Sequence, residues 1–348
     1  MSRTRLFGYD KIGSNGNDGI RYAWNMGDSK YILESAAFKS KTKGEESKIA
    51  GYTTSVGIGC ILRNFGYACK FCRTGKLVPF KAILSAEEIA KQNILMVLTD
   101  MNCSVHQELK EKRREFAYMG QGEPGYSYLQ LRLAIKITDY VMSKLGQSVH
   151  RHIISTSGIM EMLHAIKKDI ESNYFDSKIT MHFSLHATRN RNDLMPINTL
   201  YPYENVIQEL EKISKISGEK VCLGVLLFNQ FKTNSSSLEH TTNLEELEDV
   251  LSIANPKHFR FSFCEYNNSL DVGTSQIFSE NEAYKICEYT RSKGYEAKLF
   301  SSFGKEEKTA CGMLAGKLPE YKISKKWSDL EKYADELISE ALICISND

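Results

Sequence analysis

From residue 50 onward the chain repeats one order: an apolar β-rich segment ending in Gly, Ser, Cys or Asn, then an amphipathic stretch at helical spacing. The β-rich segments predict strands at Tyr52–Ile58, Phe116–Met119, His152–Ser155, Ile179–Ser184, Val221–Leu227 and His258–Phe263. The amphipathic stretches predict helices over Ala86–Thr99, Ser127–Lys144, Ile159–Ser172, Tyr203–Ser214, Leu244–Ala254 and Glu280–Lys293. Successive βα units of this kind predict an α/β fold, a parallel sheet with helices outside, closed as a partial barrel or wound on both faces. In barrels the chemistry sits on the loops that follow the strand C-termini.

The ends of the chain read differently. Residues 1–19 are polar and glycine-rich and are expected to be a flexible arm. RYAWNMGDSKYILESAAFKS predicts a β extension over 20–50, with a turn at Met26 to Asp28. Beyond a strand near Glu296–Ser301 lies the loop that carries Cys311, and Ser324–Ile345 reads as a closing helix.

Composition narrows the setting. The 45 basic and 43 acidic side chains nearly cancel, so charge alone points to no nucleic-acid or membrane partner. The N-terminus lacks an apolar signal core and no apolar run reaches the roughly 20 residues of a membrane span, so a soluble, cytoplasmic protein is expected. In a reducing compartment, clustered cysteines more often serve metal binding or catalysis than disulfides. This chain has nine.

Cys60, Cys69 and Cys72 fall together in GCILRNFGYACKFCRTG, directly after the first barrel strand. Structural zinc usually needs a second pair or nearby histidines, which this loop does not offer. Three thiolates would instead hold three irons of a 4Fe-4S cluster and leave the fourth open to a substrate. A redox Cys-x-x-Cys, or three buried structural cysteines, would use the same residues. The neighbouring motifs decide between them.

Those motifs resemble the RlmN/Cfr family of radical S-adenosylmethionine (SAM) enzymes, in the family's order, from about Tyr22 to Gly316. ACKFCRTG resembles the cluster loop, YMGQGEP the motif that meets the SAM amino group, and IISTSG the third strand end. HFSLHATRNRNDLMPIN resembles the fourth strand and its loop, and TACGMLAG the loop of the methylated cysteine. The resemblance implies a partial (βα)6 radical SAM barrel binding a 4Fe-4S cluster and SAM, with Cys60, Cys69 and Cys72 as metal ligands. It places SAM against Gly122, Glu123, Ser155, Ser184, Leu185, His186 and Asn267, with Asn268 an equal match.

The implied reaction methylates an adenosine carbon in ribosomal or transfer RNA. Cys311 is methylated first, the 5′-deoxyadenosyl radical then activates that methyl, and a covalent enzyme–RNA adduct forms. A base, placed at Glu34, which composition alone reads as an exposed strand glutamate, and a second thiol release the product. The implied partners are RNA and an electron donor such as flavodoxin or ferredoxin, with no membrane and no DNA.

Two departures qualify this reading. The family's loop is Cys-x-x-x-Cys-x-x-Cys, but Phe65 stands where the first ligand belongs, and alignment from upstream sets Cys60 on the product-releasing cysteine. If Cys60 is a ligand, Cys264 is the best placed releasing thiol. If Cys60 releases product, the cluster keeps two cysteines. The first option is preferred because the SAM motifs need a cluster. The family also carries a helical RNA-holding domain ahead of the core, where only about twenty residues stand here. A radical SAM enzyme acting on a small molecule or peptide, and a non-catalytic RNA-binding relative without a cluster, are therefore the competing expectations.

Overall fold

The computed structural model describes residues 4–12, 19–26, 32–39, 49–102, 113–234, 237–268, 272–300 and 325–347. The strands of its largest sheet are β1 (Thr4–Ile12), β2 (Gly19–Met26), β3 (Ile32–Lys39), β4 (Ile49–Thr53), β5 (Arg113–Tyr118), β6 (Val149–Thr156), β7 (Ile179–Ser184), β8 (Val221–Leu227), β9 (Phe259–Glu265) and β10 (Glu296–Phe300). They form one ten-stranded sheet in chain order. The strands β1 to β4 pair antiparallel, and every later pairing, from β4 to β10, is parallel.

The longer helices are α1 (Ala86–Asn102), α2 (Tyr128–Lys144), α3 (Met160–Glu171), α4 (Tyr203–Ser217), α5 (Leu244–Leu251), α6 (Glu280–Ser292) and α7 (Lys325–Asn347). Right-handed crossovers that always step to the next strand put every connecting helix on one face of the sheet. The other face is left for chemistry. The helical boundaries have local causes: Asn243 accepts from Glu246 N, Ser279 from Glu282 N, and Gly218 closes α4 in the left-handed region. α7 returns to pack on α1 and α2, where Lys91 meets Asp335 at 2.9 Å.

The helix-facing side of the sheet is apolar with a few paired polar groups. Tyr52, Phe116, Tyr118, Ile154, Phe183 and Phe261 are buried there, and His152 bridges Asp139 at 2.9 Å and the Tyr118 hydroxyl at 3.0 Å. Tyr52 donates to Asp100 at 2.6 Å and accepts from Arg114. Burial raises the Asp100 carboxyl to about 6, against the lowering effects of Tyr52 and Arg114. The folded state then holds this proton more tightly than the unfolded one, so stability from this group falls as pH rises from about 4 through 6. A change on the order of 2–3 kcal/mol is expected over that window. Urea titrations across it should show the slope in wild type and its loss in Asp100→Asn.

Three expectations are corrected. Residues 4–12 are not an arm but a strand paired to β2, and its register slips between Leu6 and Gly8, which breaks the alternation that marks strands. The segment expected as one strand at Tyr52–Ile58 is two: β4 joins the main sheet, whereas Gly57–Ile58 pairs antiparallel with Ala82–Ile83. Glu34, read from composition as an exposed strand residue, is 3% exposed.

Candidate active site

The Gly57–Ile58 and Ala82–Ile83 pairing closes a loop that carries all three candidate cluster cysteines. Within it Cys60 O accepts from Arg63 N, Cys69 O accepts from Cys72 N, and Lys70 N reaches Leu194 O at 2.9 Å. The last bond ties the loop to the segment after β7. The Cys72 Sγ accepts from Gly75 N at 3.5 Å, fixing the sulfur at the start of a short helix, Arg73–Leu77.

The three thiols share one electrostatic environment. Burial pushes each of them up; Cys72 raises Cys60, and Cys72 and Cys60 both raise Cys69, with Glu123 adding to Cys60 and Cys69. A positively charged group among them would relieve that strain on their ionisation. Among the described residues no three His, Cys, Asp or Glu side chains converge as ligands of a single ion would. A 4Fe-4S cluster asks for a different arrangement, because each thiolate takes its own iron.

YMGQGEP lies directly against this loop. Gln121 O accepts from Val56 N and Gly57 N, and its side chain accepts from Gly59 N at 3.2 Å. Gly122 has φ +103°, and a Cβ there would sit 2.9 Å from Gly57 N, so only glycine allows the two segments to touch. The Glu123 carboxylate is buried and saturated: Oε1 accepts from Gly125 N and Thr156 Oγ1, and Oε2 from Ser157 N and Oγ. It clamps the loop to the end of β6. Glu123→Gln would turn one acceptor into a donor facing these donors, and a loss of about 2 kcal/mol in urea-melt stability is expected.

The remaining candidates lie along the strand ends. Ser155 and Ser184 are half-buried on the helix-free face, and Leu185 is buried. His186 has φ +55° and donates its N–H to Gly224 O, while its ring meets the edge of Phe71, the residue inside the Cys-x-x-Cys pair, at 5.0 Å. Burial first, then Arg191 and His182, hold His186 well below the usual histidine range, so its imidazole is neutral. Asn268 is fully occupied by the Ser275 backbone, at 2.7 and 2.6 Å. Asn267 is the buried one of the two, 6% exposed.

Glu34 and Cys264 stand near opposite margins of the sheet, on β3 and β9. Glu34 O accepts from Ser55 Oγ, which also accepts from Gln121 N. The Cys264 Sγ donates to Glu265 O at 3.5 Å. Cys311 lies outside the described residues.

No protein-family model matches the chain. Over 286 residues it is 27% identical to the ribosomal RNA large subunit methyltransferase Cfr of Clostridium botulinum, covering 81% of this chain and 73% of that protein. A probable dual-specificity RNA methyltransferase RlmN of Dictyoglomus turgidum is 25% identical over 266 residues, 75% of this chain and 67% of the relative. The chain is a distant homologue of the Cfr and RlmN radical SAM RNA methyltransferases. The fold agrees: a radical SAM methyltransferase from Sphaerobacter thermophilus superposes with a TM-score of 0.70 over 90% of this chain and 81% of that one, at 17% identity.

Set in a radical SAM enzyme, a further residue gains meaning. Arg191, in the loop after β7, is fully buried, and its guanidinium bonds Asn198, Met195 and the carbonyls of Ser184 and Leu185. Burial lowers it to about 10, while the nearby Cys69 thiol raises it. Its Nη2 has no hydrogen-bond partner among the described residues. A buried cation with an unused N–H beside a candidate cluster thiol fits an anionic thiolate-bound cluster. The two arginines of TRNRN, Arg189 and Arg191, look alike in sequence, and only the turn after β7 singles out Arg191.

No helix of the described residues is long and apolar enough to cross a membrane.

Proposed function

We propose that this radical SAM methyltransferase methylates a carbon of adenosine in RNA, through a methylated Cys311. The observation that supports it most is the junction of Cys60, Cys69 and Cys72 with Glu123 and Arg191 at the strand C-termini. Cys60, Cys69 and Cys72 hold a 4Fe-4S cluster. When bound, the cluster and SAM supply an electron and a 5′-deoxyadenosyl radical.

The chain's own residues orient and enclose. The backbone around Gly122 meets the SAM amino group, since the Glu123 carboxylate is already committed to Thr156 and Ser157. Ser155, Ser184, the Leu185 backbone, His186 and Asn267 line the rest of SAM, and Phe71 packed on His186 keeps water from the cluster. Glu34 takes the proton that leaves the adenine, and Cys264 supplies the thiol that pairs with Cys311 on release. The loop from 60 to 86 carries Arg63, Lys70, Arg73, Lys76 and Lys81 and no acidic residue, with Phe65 52% exposed among them. An acidic one-electron carrier fits that face.

The test is transfer of a labelled methyl group from SAM to an adenosine-containing RNA hairpin by anaerobically reconstituted protein with a chemical reductant. Methylation at an adenine carbon, read by nucleoside mass spectrometry, supports the reading. Methyl transfer to small molecules or peptides alone would replace RNA with another substrate.

A further inference from the structure

The helix-free face carries a second polar cluster, of which the roles above use Ser155 alone. Ser155, His182, Cys222 and Arg260 stand side by side on β6, β7, β8 and β9, in register across three parallel pairings. Their chain neighbours Met181, Phe183, Val221, Leu223, Phe259 and Phe261 are buried toward the helices, so alternation turns this row to the opposite face. One pleat further along lies the row of Ser184, Gly224 and Ser262.

The His182 ring bridges the two rows. A Cβ on Gly224 would sit 2.5 Å from His182 Nε2, so the missing side chain is the space that the ring occupies. The register sets the Cys222 thiol between the His182 ring and the Arg260 guanidinium, and both act on it electrostatically. The buried His182 Nε2 and Arg260 Nε have no hydrogen-bond partner among the described residues. Two unused nitrogens thus face one side of the sheet, level with the serine assigned to SAM.

The charges favour donation. Burial opposes ionisation of Cys222, but His182 and Arg260 outweigh it and bring the thiol below its ordinary value. Burial likewise opposes a charged His182, and Cys222 outweighs it, although Arg260 works the other way. His186, one turn of chain above, is kept neutral, and Glu296 lies beyond Arg260 on β10. The same face also carries Lys298 on β10, Cys264 on β9, Arg113 on β5 and Glu34 on β3, while Glu115 and Arg151 pair with each other at 2.6 Å.

We infer that His182, held by Cys222 and Arg260, contacts the substrate and donates its Nε2 hydrogen to an acceptor atom there. On the function proposed above, that acceptor is a ring nitrogen of the extruded adenine, and the pair serves base recognition. A purine entering this face presents unpaired ring nitrogens once it is unstacked.

The test reads Cys222 directly. Alkylation of the Cys222 peptide by iodoacetamide, followed by mass across pH, should have a midpoint below that of an ordinary thiol. His182→Gln should slow it about tenfold at neutral pH, as a loss of roughly one unit of thiol acidity does. Gly224→Ala removes no polar group and should act in the same direction by displacing the ring. An adenosine hairpin should protect Cys222 in wild type, and one of the 1-, 3- or 7-deazaadenosine hairpins should bind about tenfold more weakly. His182→Gln should erase that difference. An unchanged alkylation rate in His182→Gln overturns the pair, and equal binding of all deaza hairpins by wild type overturns the contact. If no RNA protects Cys222 while its reactivity still depends on His182, the RNA reading fails, and the adenine contact falls with it.

Discussion

Cys60→Ala is expected to strip the protein of its cluster: anaerobic reconstitution should load wild type with about four irons and matching sulfide, and the variant with almost none. Iron and sulfide analysis with a visible spectrum measures this. The expectation rests on where the structure puts the thiols. Cys60 and Cys69 each feel Cys72, and Cys69 feels Cys60, so all three share one pocket. Phe65, at the position where the family has its first ligand, is half-exposed with its ring 5.6 Å from Tyr126. A cluster with two protein thiolates would lose iron readily, so the effect of removing Cys60 is close to all or none. Should the variant keep its iron, Cys60 is free for product release, and the third ligand lies elsewhere.

Most of the architecture was legible because apolar periodicity is a local property. The strands at Ile179–Ser184 and Val221–Leu227 stand where the pattern put them, and helix ends such as Ser279 and Gly218 carry their own caps. Residues 4–12 escaped because the slip at Leu6 and Gly8 interrupts the alternation. The site was legible where glycine and cysteine spacing marks a loop, as in ACKFCRTG and YMGQGEP. It was not legible where partners are distant in sequence. The clamp on Glu123 comes from Thr156 and Ser157, Arg191 acts on the Cys69 thiol of another loop, and His182 meets Cys222 only through strand register. Spacing makes Asn267 and Asn268 equal matches, and only the fold shows that Asn268 is tied to the Ser275 backbone while Asn267 is buried.

Protein incubated with SAM and reductant should carry one extra methyl group on the Cys311 peptide, and Cys311→Ala should lower RNA methylation by roughly 10⁴-fold or more, the scale on which removal of a covalent group acts. Iron content and SAM binding should be unchanged in that variant, because the three cluster thiols and the clamp around Glu123 lie on other segments. A thioether carbon is the group from which a one-carbon fragment can be passed on as a radical, so loss of the sulfur removes the carbon source rather than its activator. Peptide mass spectrometry and labelled-methyl counting therefore read two separate things. A methylated Cys311 with no methylated RNA keeps the carrier cysteine and moves the acceptor to another substrate. Methylated RNA with an unmodified Cys311, or undiminished turnover in Cys311→Ala, would mean that the methyl group passes from SAM to the base without this cysteine, and the proposed route would fall.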